Sequence, residues 1–504
     1  MMAMNNKTNS VMLSGLLSNW LEVPVIMDHI IHGITLDSRD VRPGYLFLAC
    51  KGKTVNGTEF IDKAIAQGAV AVIWETNDSA TAIPFNTRKS PQGNDIPVIA
   101  LDGLSKKAGL IASRFFAEPS KQMFVTGITG TNGKTSCSHF LAQALNADET
   151  TGIIGTLGNG LYGQLETATH TTPDVVRCHQ LLAEMLANGA RNVAMEVSSH
   201  ALDQGRVTGI DFDCAVFTNL SRDHLDYHGD MESYLESKLK LFSVPSLKFA
   251  VINNDEAVSE KIRAVISTPV KVITYGMKTN ADVIATDIQL SHDGIKIKVT
   301  TPWGAGELKT SLLGRFNVSN LLAVLSVLLL KGIKFEDALQ RLAKVQGVAG
   351  RMQCLQSNEK PLVVVDYAHT PDALEHVLSA LQEHQHKQLW CVFGCGGDRD
   401  QGKRPMMGAI AERLADQLVI TTDNPRSEDP QAIVNEISEG LSKASDAHIQ
   451  LDRAEAIEYA INNASQEDIV LIAGKGHETY QEVNGKRYPF SDMETAKHYL
   501  EVRA

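Results

Sequence analysis

Between the apolar run Met123-Phe124-Val125 and a helix-prone stretch from Lys134, the chain reads Thr-Gly-Ile-Thr-Gly-Thr-Asn-Gly-Lys-Thr-Ser over residues 126–136. A strand that runs through a glycine-rich loop into a helix turns backbone N–H groups and a helix N-terminus toward one point, where phosphate oxygens can sit. Lys134 supplies a point charge and Thr135 a hydroxyl able to ligate Mg²⁺. The spacing departs from the usual loop, because Ile128 stands five residues before Gly133. A tight turn with an incidental lysine is the plain alternative. Three glycines with Lys and Thr in that context favour a nucleoside triphosphate, held by Gly127, Gly130, Thr131, Asn132, Gly133, Lys134, Thr135 and Ser136.

A chain of 504 residues is long enough for about three domains, each with its own core. The formal charge of −12 argues against a nucleic-acid binder, so anionic ligands must be held by local devices. The longest apolar run, Leu321 to Leu330, is too short to span a bilayer and fits a buried helix. No secretion signal is visible, and seven scattered cysteines read as reduced thiols of a cytoplasmic protein.

Short strands are expected around 44–49 and 69–73, with a turn-rich stretch at 85–95 and a linker at 117–120. From about 121, strands at 123–128, 191–197, 214–219 and 249–253 alternate with helices near 134–146, 174–188 and 233–243. Such alternation predicts a mostly parallel sheet covered by helices. Ile295, Ile297 and Val299 alternate with polar residues, as in a half-exposed antiparallel strand, and a helix is expected over 318–331. From 347 a second α/β unit follows, with strands at 362–366, 389–394, 417–422 and 468–473 and helices at 371–384, 405–415, 430–443 and 454–464. The α/β chain thus divides into 1–118, 119–346 and 347–504.

Several polar motifs follow predicted strands. Glu196 ends one; it reads either as a Mg²⁺ ligand or as a carboxylate paired with a base. His224 and His228 lack matching zinc partners, which makes Mg²⁺–phosphate chemistry the better reading of their loop. Lys238 shares a helix face with Tyr234 and by residue type belongs on a solvated surface. Asn317 is either an N-cap or an amide that reads the adenine edge. Helix initiation explains Pro371 but neither Asp366 nor His369. Arginines and a glutamate after the later strands, at Arg399, Arg426 and Glu478, suit a zwitterion, with Arg gripping carboxylate and Glu gripping ammonium.

Taken in order, Leu36-Asp37-Ser38-Arg39, GITGTNGKT, EVSSHAL, TNLSRDHLDYHGD, GRFNVSN, DYAHTPDAL, FGCGGDRDQGKRP, DNPR and GKGHE resemble the Mur ligases of bacterial cell-wall synthesis over almost the whole chain. The resemblance implies a UDP-binding N-terminal α/β domain, a central P-loop domain with a small antiparallel sheet, and a C-terminal Rossmann-like domain. It implies an ATP- and Mg²⁺-dependent amide ligase; with the thiols, the charge and the short apolar runs, the expectation is a cytoplasmic monomer without nucleic acid or membrane insertion. ATP would phosphorylate the D-glutamyl carboxylate of UDP-MurNAc-L-Ala-D-Glu, and meso-diaminopimelate would attack the acyl phosphate.

By the same resemblance Lys134 and Thr135 serve phosphate and metal, and Glu196 and His224 are metal ligands. Lys238 falls at a carbamylated lysine. Asn317, Arg351, Asp366 and His369 belong to the ATP site. Leu36, Ser38, Lys53, Thr54, Val55, Thr171, Thr172, Ser198, Gln204 and Arg206 match the nucleotide-sugar positions. Arg399, Asp423, Asn424, Pro425, Arg426, Gly474 and Glu478 match the diaminopimelate site, and Asp-Asn-Pro-Arg is its diaminopimelate form.

Overall fold

The computed structural model describes residues 10–52, 56–76, 85–278, 280–291, 293–357, 360–384, 386–443 and 447–501. The chain packs into two compact units: Met1–Lys134, Leu145–Ile252 and Val258–Val272 in the first, and Thr135–Ala144, Asn253–Ala257 and Ile273–Ala504 in the second.

In the first unit, one sheet runs in the order Gly33–Thr35, Tyr45–Ala49, Ala69–Thr76, Asp95–Asp102, Phe85–Lys89. The first four strands are parallel and Phe85–Lys89 pairs antiparallel, so the stretch read as turns carries an edge strand. Its polar side chains disguise it: a solvated edge needs no apolar alternation. A second sheet places Phe124–Thr129 between Asn192–Glu196 and Cys214–Phe217, all parallel, with Thr151–Gly155 and Phe249–Asn253 as the next strands outward. Buried Val125, Ile154, Val193, Met195, Phe212, Ala215 and Ile252 fill the core on this sheet. Parallel strands put all their C-terminal ends on one edge, where ligands bind in such sheets. Residues 130–133, 197–199 and 218–228 follow those ends.

In the second unit, Val283–Ser291, Gly294–Thr301 and Gly304–Thr310 form an antiparallel meander. Ile295, Ile297 and Val299 are buried while Lys298 and Thr300 are exposed, which bears out the alternation. The apolar helix spans Arg315–Leu330, three residues earlier than the hydrophobic run suggests, because Gly314 is its N-cap. A six-stranded sheet runs Gln353–Leu355, Leu362–Asp366, Ile469–Ala473, Leu389–Phe393, Gln417–Ile420, His448–Ile449, with only the first antiparallel. Two apolar clusters cover its faces, one around Val364, Leu471 and Phe393, the other around Val365, Ile472 and Val419. The helix expected to reach 443 stops at Ser438. Among the described residues no helix is long and apolar enough to cross a membrane. The seven cysteines form no disulfide, and burial holds thiols such as Cys391 and Cys395 up at about 12.

Candidate active site

The phosphate loop is shaped by what its glycines exclude. A Cβ on Gly127 would lie 2.9 Å from the Phe212 ring, and one on Gly130 would lie 1.9 Å from Thr218 Oγ1. Gly130 and Gly133 also take positive φ, at 150° and 85°, which favours glycine. Thr131 Oγ1 lies 3.2 Å from the Tyr234 hydroxyl, and Asn132 N donates to Asn219 Oδ1. Lys134 Nζ folds back on the loop, donating to the Gly130 and Thr131 carbonyls at 2.8 Å each. Thr135 and Ser136 open the helix Lys134–Leu145.

Lys238 overturns the expectation of a solvated lysine: it is 1% exposed. The helix Met231–Leu239 carries it inward with Tyr234, whose ring centroid lies 4.2 Å from Nζ, so the shared face is confirmed. Its Nζ donates to the Gly130 carbonyl at 2.9 Å, the oxygen that Lys134 also uses. Burial first, and the neighbouring Lys134 charge second, push the Lys238 amine down to about 6. At neutral pH it is therefore mostly an uncharged nucleophile.

Glu196 is fully buried at its strand's end, and its carboxylate accepts from Thr156 N at 2.9 Å and Thr156 Oγ1 at 3.1 Å. A backbone amide and a hydroxyl of one residue thus hold this carboxylate. Gly155 is required here, since its Cβ would fall 2.2 Å from Glu196 Oε1. His224 takes φ 53° at the N-cap of the short turn Leu225–His228, with Nε2 3.5 Å from Asp223 Oδ2. His200 meets it edge-on at 4.8 Å between ring centroids, with Tyr227 and His228 on the same patch. Burial, then the His224 and His228 charges, lower the His200 pKa. Among the described residues no group of three or more His, Cys, Asp or Glu is placed to hold a metal ion.

Five of the positions assigned to the nucleotide-sugar peptide form one network with Glu196. Thr172 Oγ1 donates to the Glu196 carbonyl at 2.8 Å and lies 3.4 Å from Ser198 Oγ. Thr171 Oγ1 reaches Thr156 Oγ1 at 3.0 Å. Arg206 Nη1 donates to the Thr172 carbonyl, its Nε to Gln204 Oε1, and Gln204 Nε2 to the Tyr227 hydroxyl. Leu36 and Ser38 instead follow the N-terminal strand Gly33–Thr35, where Asp37 caps the turn Ser38–Asp40. Lys53, Thr54 and Val55 lie outside the described residues.

In the second unit Asn317 is inside its helix, not the N-cap, and its amide is anchored locally, with one N–H and one lone pair left over: Nδ2 donates to Leu313 O and Oδ1 accepts from Asn320. Asp366 accepts from Met352 N at 2.7 Å, and burial raises its pKa. Thr370 caps the helix Pro371–Gln382. Tyr367 gathers Arg351, His369 and His477 around its ring, at 5.6, 4.5 and 5.2 Å.

The amino-acid motifs meet at the C-terminal edge of the six-stranded sheet. Arg426 adopts φ 51°, and its Nη1 donates to the Gly397 carbonyl at 2.6 Å; its other guanidinium donors have no partner among the described residues. Gly397 and Gly474 allow this closeness, for a Cβ would lie 2.0 Å from Pro425 O in one case and 2.5 Å from Asp423 Oδ2 in the other. Asp423 is buried and its pKa raised by burial. Asn424 Nδ2 donates to Glu478 Oε2 at 2.8 Å. Arg399 is exposed nearby and unpaired among the described residues. Three parts of this edge lie outside the residues expected there from sequence. Lys475 is fully buried, and Arg453 pairs with Asp492 while donating to the Thr422 and Ala473 carbonyls. The hairpin Tyr480–Val483/Lys486–Pro489 brings Glu482 against Asn424 and Arg426. Its Asn484-Gly485 turn is a hairpin signal visible in the sequence.

Family models match three consecutive stretches: the Mur ligase family catalytic domain over 30–115, the Mur ligase middle domain over 128–328, and the Mur ligase glutamate ligase domain over 350–476. With the phosphate loop and the amino-acid edge in place, the chain belongs to the Mur ligase family. Among its relatives, the UDP-N-acetylmuramoyl-L-alanyl-D-glutamate--2,6-diaminopimelate ligase of Pseudomonas aeruginosa is 50% identical over 475 residues, 94% of this chain and 96% of that one. The enzyme of the same name from Coxiella burnetii is 49% identical over 479 residues, with 94% and 96% covered. A solved structure of a ligase so named superimposes with a TM-score of 0.76 at 34% identity, covering 98% of this chain and 99% of that one.

Proposed function

We propose that this chain joins meso-diaminopimelate to UDP-N-acetylmuramoyl-L-alanyl-D-glutamate, with conversion of ATP to ADP and phosphate. A carboxylate is a poor electrophile until one oxygen becomes a leaving group. Phosphorylation of the D-glutamyl carboxylate creates that leaving group, and attack by the amine then forms the amide and releases phosphate. Lys134 and the loop amides orient the triphosphate, and Asn317, Asp366, His369 and Arg351 serve the nucleotide. Thr171, Thr172, Ser198, Gln204 and Arg206 hold the peptide end, with Leu36, Ser38 and residues 53–55 toward the UDP end. Domain limits of 1–118, 119–346 and 347–504 follow the same division of labour, in a monomeric cytoplasmic enzyme.

Mg²⁺ fits the residues present. By chemical type, Glu196, the Thr135 hydroxyl and a carbamate on Lys238 offer oxygen donors and His224 an imidazole, and bound Mg²⁺ would neutralise phosphate charge. A neutral Lys238 amine is the form that reacts with CO₂, and the product is an anion where an ammonium would repel metal. Lys238→Ala should lower the ligation rate at least about 100-fold, with partial recovery in short carboxylic acids. Full activity in that variant would remove the carbamate role.

The observation that carries the amine assignment is Arg426, its fork partly fixed on Gly397 and partly open, two residues after the Asn424 that bonds Glu478. Diaminopimelate differs from lysine by one distal carboxylate. A charge-assisted pair to Arg426 is worth about 1.5–3 kcal/mol, or roughly 10- to 100-fold in selectivity. Phosphate release is measured with the nucleotide-sugar dipeptide, ATP, Mg²⁺ and each amine in turn. Equal turnover with L-lysine would overturn the specificity. A related folylpolyglutamate synthetase shares the central chemistry, but Asp37-Ser38-Arg39 and Asp-Asn-Pro-Arg disfavour that reading.

A further inference from the structure

We infer that Lys475 is a positioning residue for amine recognition, acting through Asn424 and Glu478 without touching the substrate itself. This rests on the amine site proposed above. Lys475 follows the strand Ile469–Ala473 and is 0% exposed, so its ammonium has no water to lean on. Its Nζ donates to Glu478 Oε2 at 2.9 Å and to Asn424 Oδ1 at 3.1 Å, and lies 5.6 Å from the Tyr480 ring centroid. The two acceptors are in turn locked to each other, since Asn424 Nδ2 donates to the same Glu478 Oε2. Asn424 Oδ1 also accepts from Glu482 N at 2.9 Å, which uses its second lone pair.

The consequence is a division of labour within one carboxylate. Glu478 Oε2 is saturated by Lys475 and Asn424, while Oε1 has no hydrogen-bond partner among the described residues. The substrate ammonium therefore meets one open oxygen in a fixed direction. Asn424 cannot flip its amide to contact the ligand, because both ends are committed. Its contribution is to aim Glu478. Only a compact cation on a flexible stem can reach both oxygens at this depth; a guanidinium is planar and wider.

The test compares wild type, Lys475→Met, Glu478→Gln and the double variant in steady-state ligation, with thermal unfolding as a check. Lys475→Met should raise KM for diaminopimelate about tenfold or more, with kcat at saturating amine and KM for ATP changed less than about threefold. In the double variant the two KM effects should overlap rather than multiply, because Lys475 acts through Glu478. Lys475→Arg keeps the charge, gives a second folded variant if the methionine form unfolds, and should also raise that KM. An unchanged KM in folded Lys475→Arg or Lys475→Met, or fully multiplicative effects, would overturn the inference. Wild type that fails to ligate diaminopimelate would instead overturn the proposed function.

Discussion

Gly155 closes the strand Thr151–Gly155 at the one point where any side chain would strike Glu196. Gly155→Ala must push the carboxylate off Thr156 N and Oγ1. We expect ligation to fall about tenfold or more and stability to drop by about 1–3 kcal/mol. Wild-type rates with unchanged unfolding would show that the carboxylate has room. The sequence named Glu196 but not its holder, since Thr156 lies forty residues away and meets it only through the pairing of neighbouring strands. Lys238 was equally opaque for a different reason. Its burial depends on how its helix packs, and residue type alone argues for solvent.

At the scale of elements, the loop before the helix Pro430–Ser438 is tied to the helix Lys403–Leu414 through Arg404, a fully buried guanidinium that pairs with Glu428 and Glu436 at 2.8 Å. The hydrogen bonds from Arg404 pull the Glu428 carboxyl from 4.5 down to about 2. A pKa lower in the folded state gives stability that is fully present above the unfolded value and lost as pH falls through the folded one. Glu428→Gln should therefore flatten the unfolding free energy by about 1–2 kcal/mol between pH ~4.5 and ~2, a figure reduced for partial solvent screening. Urea unfolding across that range checks it; identical pH slopes in both proteins would refute it. Strands and helices of the α/β units were legible because β-branched runs and apolar periodicity mark them. The edge strand Phe85–Lys89 was not, because all its side chains after Phe85 are exposed. The amino-acid edge was legible as separate motifs, whereas their convergence required the strand order Leu362–Asp366, Ile469–Ala473, Leu389–Phe393, Gln417–Ile420, which skips across the sequence.

For the whole molecule, a formal charge of −12 sets the long-range field against anionic substrates. On the proposed assignment, binding rests on short-range contacts such as Lys134, Arg206 and Arg426. Added salt screens the general repulsion and barely touches buried contacts. We expect kcat/KM for the nucleotide-sugar dipeptide to stay level or rise modestly between roughly 20 and 150 mM salt. A steep fall would mean that a local basic field steers the substrate after all.

Lys134 rests on the Gly130 and Thr131 carbonyls. If the loop holds ATP as proposed, nucleotide arrival becomes, in kinetic language, an exchange of partners rather than a search by a wandering chain. An incoming phosphate would draw the Lys134 ammonium from these carbonyls, and the same carbonyls would recapture it when product departs. On that reading the cradle would reset between turnovers without refolding the loop.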